Sequence, residues 1–467
     1  MRSSPKTLAR GQLFAVLAAI GLVGCTSELE TSVPLPVTAA MTTVGNTQDG
    51  SSALSHNDLP EKPKVLRVGA EVSADQGFMA LSDGGVAVVL NHASLVDGRH
   101  LLDVLAQSEE VQLVAAYAPE HGVRADAPAG AEVTDQVDPT TGIEVLSLYQ
   151  PGASEAVPPL VSGADVVVFD LQDVGARVYT YISTMGTAMM MAAQADARFV
   201  VLDRPNPLGG HMIDGPVRND EFSSFVGRYP LPLVHGMTVG ELALAIQGEA
   251  WLPGLQDLDV HVVPMQGWER SMIWAQTGRA WVAPSPSLPT AEAAAVYPAT
   301  VLFEATSWSV GRGTDTPFSV IGAPGVDGER LASRLAAYEL PGVSFTPTSF
   351  VPQASAAVPN PKHEGTRITG VHLDVTDSTQ FSPYAVAVHL LAEAQALTED
   401  RTLGSAVTES SPPPALIDRP AFFDLLAGTD ELRHHLHRHT PPGTITDAVE
   451  GKLTGFATLR SPYLLYD

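Results

Sequence analysis

A short β-rich run that ends in polar residues recurs four times in the first half of this chain, and this repetition constrains its fold more than any other feature. The runs are "VAVVLN" (86–91), "QLVAAYAPEHG" (112–122), "VVVFDLQD" (166–173) and "RFVVLDRPNP" (198–207), with a weaker "IEVLSLY" (143–149) between the second and third. Stretches of helical character separate them: "GRHLLDVLAQS" (98–108), a segment near 153–162, and "TYISTMGTAMMMAAQADA" (180–197). Strands that alternate with helices build βαβ units, so the fold class is α/β with a mostly parallel sheet covered on both faces. Met185, Met189, Met190 and Met191 read as the packing face of their helix. At 467 residues the chain exceeds one typical core, which predicts two domains.

The formal net charge of −26 argues against binding a phosphate backbone, so no nucleic-acid partner is expected. The amino terminus carries its own address. "MRSSPKTLARGQLFAVLAAIGLVGC" places basic residues before an apolar run too short to span a bilayer well, the order of a secretory signal (1–25). "LVGC" resembles a bacterial lipobox, in which the cysteine is lipidated. Cys25 is the only cysteine, so no internal disulfide competes for it. The expectation is an exported, membrane-anchored lipoprotein, in the periplasm or outer membrane if the cell has two membranes. Residues 26–63, rich in Ser, Thr and Pro, read as a flexible tether.

Ligands of open α/β sheets sit beyond the carboxyl ends of the strands. Asn91 and His92, Glu120 and His121, Asp170, Gln172 and Asp173, and Asp203, Arg204 and Asn206 all fall at such ends. Any one of them reads as a turn or cap residue; four strands sending polar side chains to one rim point to a shared site. Burying Glu120 without a partner would be costly, so it is either satisfied there or reactive. Arg177, Tyr179 and Tyr181 follow the third run. Arginine can fork onto a carboxylate and tyrosine can stack on a sugar, although a loop ion pair from Arg177 to Asp170 or Asp173 fits equally well. Thr238 and Glu241 have capping-box spacing, which makes Glu241 structural and leaves the preceding His235 as a site candidate. No glycine-rich dinucleotide fingerprint follows the first run, so no cofactor is expected.

The second half is less regular. "SVGRGTDTPFSVIGAP" (309–324) reads as a loop entering the site, with Arg312 and Thr314 as polar contacts. "DGERLASRLAAYEL" and "PYAVAVHLLAEAQAL" read as helices and "GVHLDVT" as a strand, which gives a smaller α+β domain. In "HHLHRH" (434–439), His435 and His439 share a helix face, but no carboxylate or cysteine stands at ligand spacing. That stretch reads as a solvated helix end, and no metal is expected.

Six motifs in order, "PEHG", "DLQDVGARVYTYI", "LDRPNPLGG", "HGMTVGELA", "APSPSLPT" and "SVGRGTDTPF", make the chain resemble the NamZ-type exo-β-N-acetylmuramidases over roughly residues 80 to 467. The resemblance implies a Rossmann-like catalytic domain (64–305), a smaller C-terminal domain (306–467) and a cleft between them. It also implies release of terminal N-acetylmuramic acid from the non-reducing ends of peptidoglycan fragments. Glu120 matches the glutamate of "PEHG" and takes the general acid/base role, with its pKa raised by partial desolvation. His121 either tunes that carboxyl or caps the loop. Asp170, Asp173 and Asp203 are alternatives for the second group, as is the substrate's own acetamido group. Arg177, Arg204 and Arg312 are the cations available for the lactyl carboxylate of muramic acid. Asn91, Gln172, Tyr179, Asn206, His235 and Thr314 complete the expected substrate contacts. The chain departs from the family pattern at Ser287 and Ser307, where asparagine is expected, and at Gly325, where an aromatic residue is common. A muropeptide-binding lipoprotein without catalysis, and a metal-dependent hydrolase using His92, His121 and the nearby aspartates, are the competing classes.

Overall fold

A computed structural model describes residues 66–119, 122–124, 134–149, 157–404 and 415–467. Glu120, His121 and Cys25 lie outside the described residues. After helix α1 (Gly69–Asp75) comes β1 (Gly85–Leu90), then a hairpin of β2 (Leu95–Val96) and β3 (Arg99–His100), helix α2 (Leu101–Gln107) and β4 (Gln112–Ala118). The short β5 (Gln136–Val137) and β6 (Glu144–Ser147) precede β7 (Val166–Asp170), α3 (Tyr181–Gln194), β8 (Arg198–Leu202), α4 (Val239–Gly248) and β9 (Val260–Val263).

These strands form one sheet in the order β5-β6-β4-β1-β7-β8-β9. All its pairings are parallel except β5 with β6. Successive side chains of a strand point to opposite faces, and the two faces are covered by different helices. Val86, Val88 and Leu90 pack with α1 and α2 residues such as Val72, Leu101 and Leu105. Ala87, Val89, Val167 and Phe169 pack with Met185, Met189 and Leu242 from α3 and α4. This double burial is why the strands read as nearly unbroken apolar runs. At α4 the capping box forms: Glu241 N–H donates to Thr238 Oγ1 (3.3 Å) and Thr238 N–H to Glu241 Oε2 (3.0 Å). Arg270 Nη1 donates to Glu241 Oε1 at 2.6 Å, so Glu241 is structural as expected.

The helix expected near 153–162 is absent from its described part, 157–162, where the chain is irregular. Pro158 and Pro159 lack the N–H groups that a helix needs there.

Beyond the sheet come α5 (Ala291–Thr300), β10 (Val320–Ala323), α6 (Gly328–Ala336), β11 (Val343–Phe350), β12 (Ile368–Val375) and α7 (Pro383–Gly404). Helices α8 (Pro420–Ala427), α9 (Glu431–His437), α10 (Pro442–Asp447) and α11 (Glu450–Arg460) complete the chain. Strands β10-β12-β11 make an antiparallel sheet, so this part is α+β. A single apolar core runs from Phe169 and Met185 through Phe318 to Val371 and Leu391, and residues 65–467 form one compact unit. Helix α9 ends at His437, so His439 lies past the helix and does not share a face with His435. Among the described residues, no helix is long and apolar enough to cross a membrane.

Candidate active site

The sheet order makes the β1–β7 boundary a switch point, because β1 connects onward to β4 on one side while β7 leads to β8 on the other. Such a boundary opens a crevice at the carboxyl ends of its strands. Just past β1, Asn91 is buried; its Oδ1 accepts from Ala93 N–H (2.9 Å) and its Nδ2 donates to Tyr181 Oη (3.0 Å). Tyr181 Oη in turn donates to the Pro284 carbonyl (2.9 Å), and His92 Nε2 lies 2.7 Å from the Ala283 carbonyl. A carbonyl only accepts, so His92 carries its proton on Nε2. These contacts tie residues 283 and 284 to the end of β1 and to the start of α3. Pro286 and Ser287 then line a cleft of about 240 Å³, with Gly313, Thr314 and Gln353 among its other walls.

Glu120 and His121 lie outside the described residues, but the chain on both sides of them is firmly held. Pro119 follows β4, beside β1 in the sheet, and its carbonyl accepts from Gly122 N–H (3.2 Å). His100 Nε2 lies 3.1 Å from both the Asn91 and Val123 carbonyls. Arg124 bridges Asp103 (2.6 Å) and Asp138 (2.9 Å). Burial pushes the Asp138 carboxyl up, but Arg124 and Thr141 outweigh it and hold the pKa down to about 2. His100 and Arg124 escape a sequence reading because each bonds to partners far along the chain.

The polar residues at the ends of β7 and β8 are mostly buried. Asp170 and Arg204 form a buried bidentate pair, Nε to Oδ1 at 2.5 Å and Nη2 to Oδ2 at 2.8 Å. Asp203 is fully buried and accepts from Arg204 N–H (2.9 Å), Gly240 N–H (2.8 Å), Thr238 Oγ1 (2.8 Å) and Tyr466 Oη (2.6 Å). Burial nevertheless pushes its carboxyl up to about 6. It organises the start of α4, a role set partly by Tyr466, which nothing in the local motif foretells. Arg177 meets neither Asp170 nor Asp173; its Nη2 donates to the Leu426 and Ala427 carbonyls (3.1 and 3.0 Å) at the end of α8. Burial, then the nearby Arg218, pull its pKa down to about 9. Asn206 pins its own turn, accepting from Leu208 N–H (2.9 Å) and donating to the Met237 carbonyl (3.0 Å). Tyr179 packs edge-on against Tyr181, ring centroids 5.0 Å apart.

Asp173 and His235 differ from these. His235 Nδ1 accepts from Met237 N–H (3.2 Å), which leaves the proton on Nε2, 3.4 Å from Asp173 Oδ2. Asp173 Oδ2 also accepts from Gly175 N–H (2.7 Å). Gln172 Nε2 donates to the Asp173 and Pro205 carbonyls, both at 2.8 Å. Gln172 Oε1 and Asp173 Oδ1 are buried acceptors without a hydrogen-bond partner among the described residues. Adjacent unpaired acceptors are rare in a folded interior, so each one here calls for an explanation.

On the glycine-rich loop, Gly311 (φ 73°) and Gly313 (φ 84°) hold left-handed backbone on either side of Arg312. Arg312 Nε donates to Ser287 Oγ (3.2 Å) and Nη1 to Glu304 Oε1 (2.7 Å). Thr314 Oγ1 closes the turn onto the Gly311 carbonyl at 2.6 Å. The departures at Ser287, Ser307 and Gly325 have distinct settings. Ser287 touches Arg312, whereas the Ser307 carbonyl lies 2.8 Å from His363 Nε2. Gly325 has φ 73°, a left-handed turn that an aromatic residue would strain. Among the described residues, no three His, Cys, Asp or Glu side chains are grouped to hold a metal.

Residues 86–292 match the family model described as exo-beta-N-acetylmuramidase NamZ, N-terminal, and residues 295–466 match its C-terminal counterpart. The peptidoglycan beta-N-acetylmuramidase NamZ of Bacillus subtilis (strain 168) is 38% identical over 422 residues, 90% of this chain and 96% of that protein. Two crystal structures of DUF1343 family proteins from Bacteroides fragilis NCTC 9343 are similar in fold. One is 33% identical with a TM-score of 0.75. The other is 30% identical with a TM-score of 0.66. Each alignment covers 86% of this chain and 99% of the other.

Proposed function

Because the chain belongs to the exo-β-N-acetylmuramidase NamZ family, we propose that Glu120 and Asp173 carry out its glycoside hydrolysis. The protein is a glycosidase that releases terminal N-acetylmuramic acid from the non-reducing ends of peptidoglycan fragments, an activity of cell-wall turnover. The observation that carries this function is the 38% identity spread over 96% of the relative, with both halves of the family matched.

Cleavage needs a proton for the leaving oxygen and stabilisation of an oxocarbenium-like centre. In the sequence Glu120 comes directly after Pro119, which leaves β4 beside the switch point, and His100 and Arg124 hold the described residues 123 and 124; a position between such anchors suits a proton donor. Of the three aspartates, Asp170 is neutralised by Arg204 and Asp203 is saturated by four donors. Asp173 keeps one oxygen without a hydrogen-bond partner among the described residues, and His235 Nε2 lies 3.4 Å from the other. It is therefore the aspartate best suited to assist the water, or the acetamido group, on the opposite face of the sugar.

The test is hydrolysis of an aryl β-N-acetylmuraminide by the full chain and by Glu120→Gln and Asp173→Asn. The wild type releases sugar; the glutamine variant falls on the order of a hundredfold or more in kcat. A Glu120→Gln enzyme with wild-type kcat would remove the acid from this loop.

A further inference from the structure

We infer that Arg312 reads the lactyl carboxylate that distinguishes N-acetylmuramic acid from N-acetylglucosamine, an inference that rests on the muramidase function above. A chain of net charge −26 that selects an anionic sugar has to place a cation beside it. The sequence offers three arginines near the rim, and the structure separates them. Arg177 is buried against the carbonyls that end α8, and Arg204 is locked onto Asp170 with 6% of its side chain exposed. Arg312 keeps 33% of its side chain exposed, and its partner Ser287 and its chain neighbours Gly313 and Thr314 line the cleft.

Its surroundings hold the guanidinium in one plane. Ser287 and Glu304 fix Nε and Nη1, and the Phe318 ring lies 6.0 Å from the guanidinium carbon. The loop backbone is equally constrained: a Cβ on Gly313 would come within 2.6 Å of the Gln353 carbonyl. The turn that carries Glu304 is gripped as well. Lys362 Nζ donates to the Phe303, Thr306 and Trp308 carbonyls, and His363 Nε2 meets that of Ser307. A planar fork fixed in advance loses little entropy when it binds a carboxylate, and this is arginine's advantage over lysine. The Glu304 contact does not disqualify it, since Arg124 in the same chain serves Asp103 and Asp138 together. The departure at Ser287 therefore falls on a hydrogen-bond partner of the selecting residue.

The experiment compares kcat/KM for an aryl β-N-acetylmuraminide and for the same glycoside with its lactyl carboxyl converted to the neutral amide. The enzymes are the full-length wild type, Arg312→Met and Arg312→Lys. The wild type prefers the acid. In Arg312→Met, activity on the acid falls on the order of 10- to 100-fold further than activity on the amide, the scale of a lost charged hydrogen bond. Arg312→Lys keeps the charge without the fork and falls between, so it reports even if the methionine variant is unstable. Both variants keeping the wild-type preference for the acid, or losing acid and amide activity equally, overturns the inference alone. A wild type inactive on both glycosides overturns the function on which it rests.

Discussion

The Asp170–Arg204 pair allows a direct test of which strand-end charges serve the fold and which serve chemistry. Asp170 has no exposed side-chain surface and Arg204 has 6%. Two hydrogen bonds at 2.5 and 2.8 Å join the ends of β7 and β8. Arg204→Met keeps most of the side-chain volume but leaves Asp170 buried without its counter-charge. Removing one partner of a buried pair costs about 3–5 kcal/mol, most of it the penalty on the orphaned charge. The double variant Asp170→Asn/Arg204→Met carries no buried charge at this position and regains much of that loss. The assay is urea unfolding of wild type, both single variants and the double variant, beside kcat/KM measured where each protein is folded. The single variants lose stability, the double variant recovers part of it, and the folded fraction of each retains activity. Arg204→Met costing less than about 1 kcal/mol, or losing activity at full stability, would show that these charges face the substrate and not each other.

The other two expectations concern pH and location. Asp203 is held near pKa 6 in the folded state, above its ordinary 3.8, so the folded chain binds more protons than the unfolded chain between about pH 4 and 6. Stability contributed through this group is present below pH 4 and is lost as the pH rises through 6, by roughly 3 kcal/mol at 1.36 kcal/mol per unit. Asp203→Asn removes that slope, so the wild-type minus variant difference falls across this window; a difference flat with pH would refute the assignment. We further propose export and lipid attachment at Cys25, supported by the basic-then-apolar start and "LVGC". On cell fractionation the wild type sediments with membranes and Cys25→Ser does not; equal membrane fractions for the two would reject the anchor.

Much of the sheet was legible because period and burial act locally. The run at 86–91 is β1 at Gly85–Leu90, and 166–173 is β7 at Val166–Asp170 followed by its polar tail. Thr238 and Glu241 announced their cap because both partners lie within one turn. The partners of the rim residues were not legible. Arg177 finds its acceptors in α8, 249 residues away, and Asp203 accepts from Tyr466 near the end of the chain. Side-chain type states what chemistry is possible; tertiary contacts decide whether it is used. Residues 157–162, the described part of the stretch expected as a helix, are irregular for a different reason, since Pro158 and Pro159 weigh against helix whatever the apolar pattern suggests.

The grip of Arg177 on α8 has an implication for how such proteins can be recombined. Family models describe two segments meeting between 292 and 295, which invites exchange of halves between relatives. Here a guanidinium contributed by the first segment has, among the described residues, its acceptors in the second. A chimera that mismatches Arg177 and the turn after α8 would strand a positive charge in an apolar interior. Exchange of the halves therefore has to carry Arg177 and the end of α8 together.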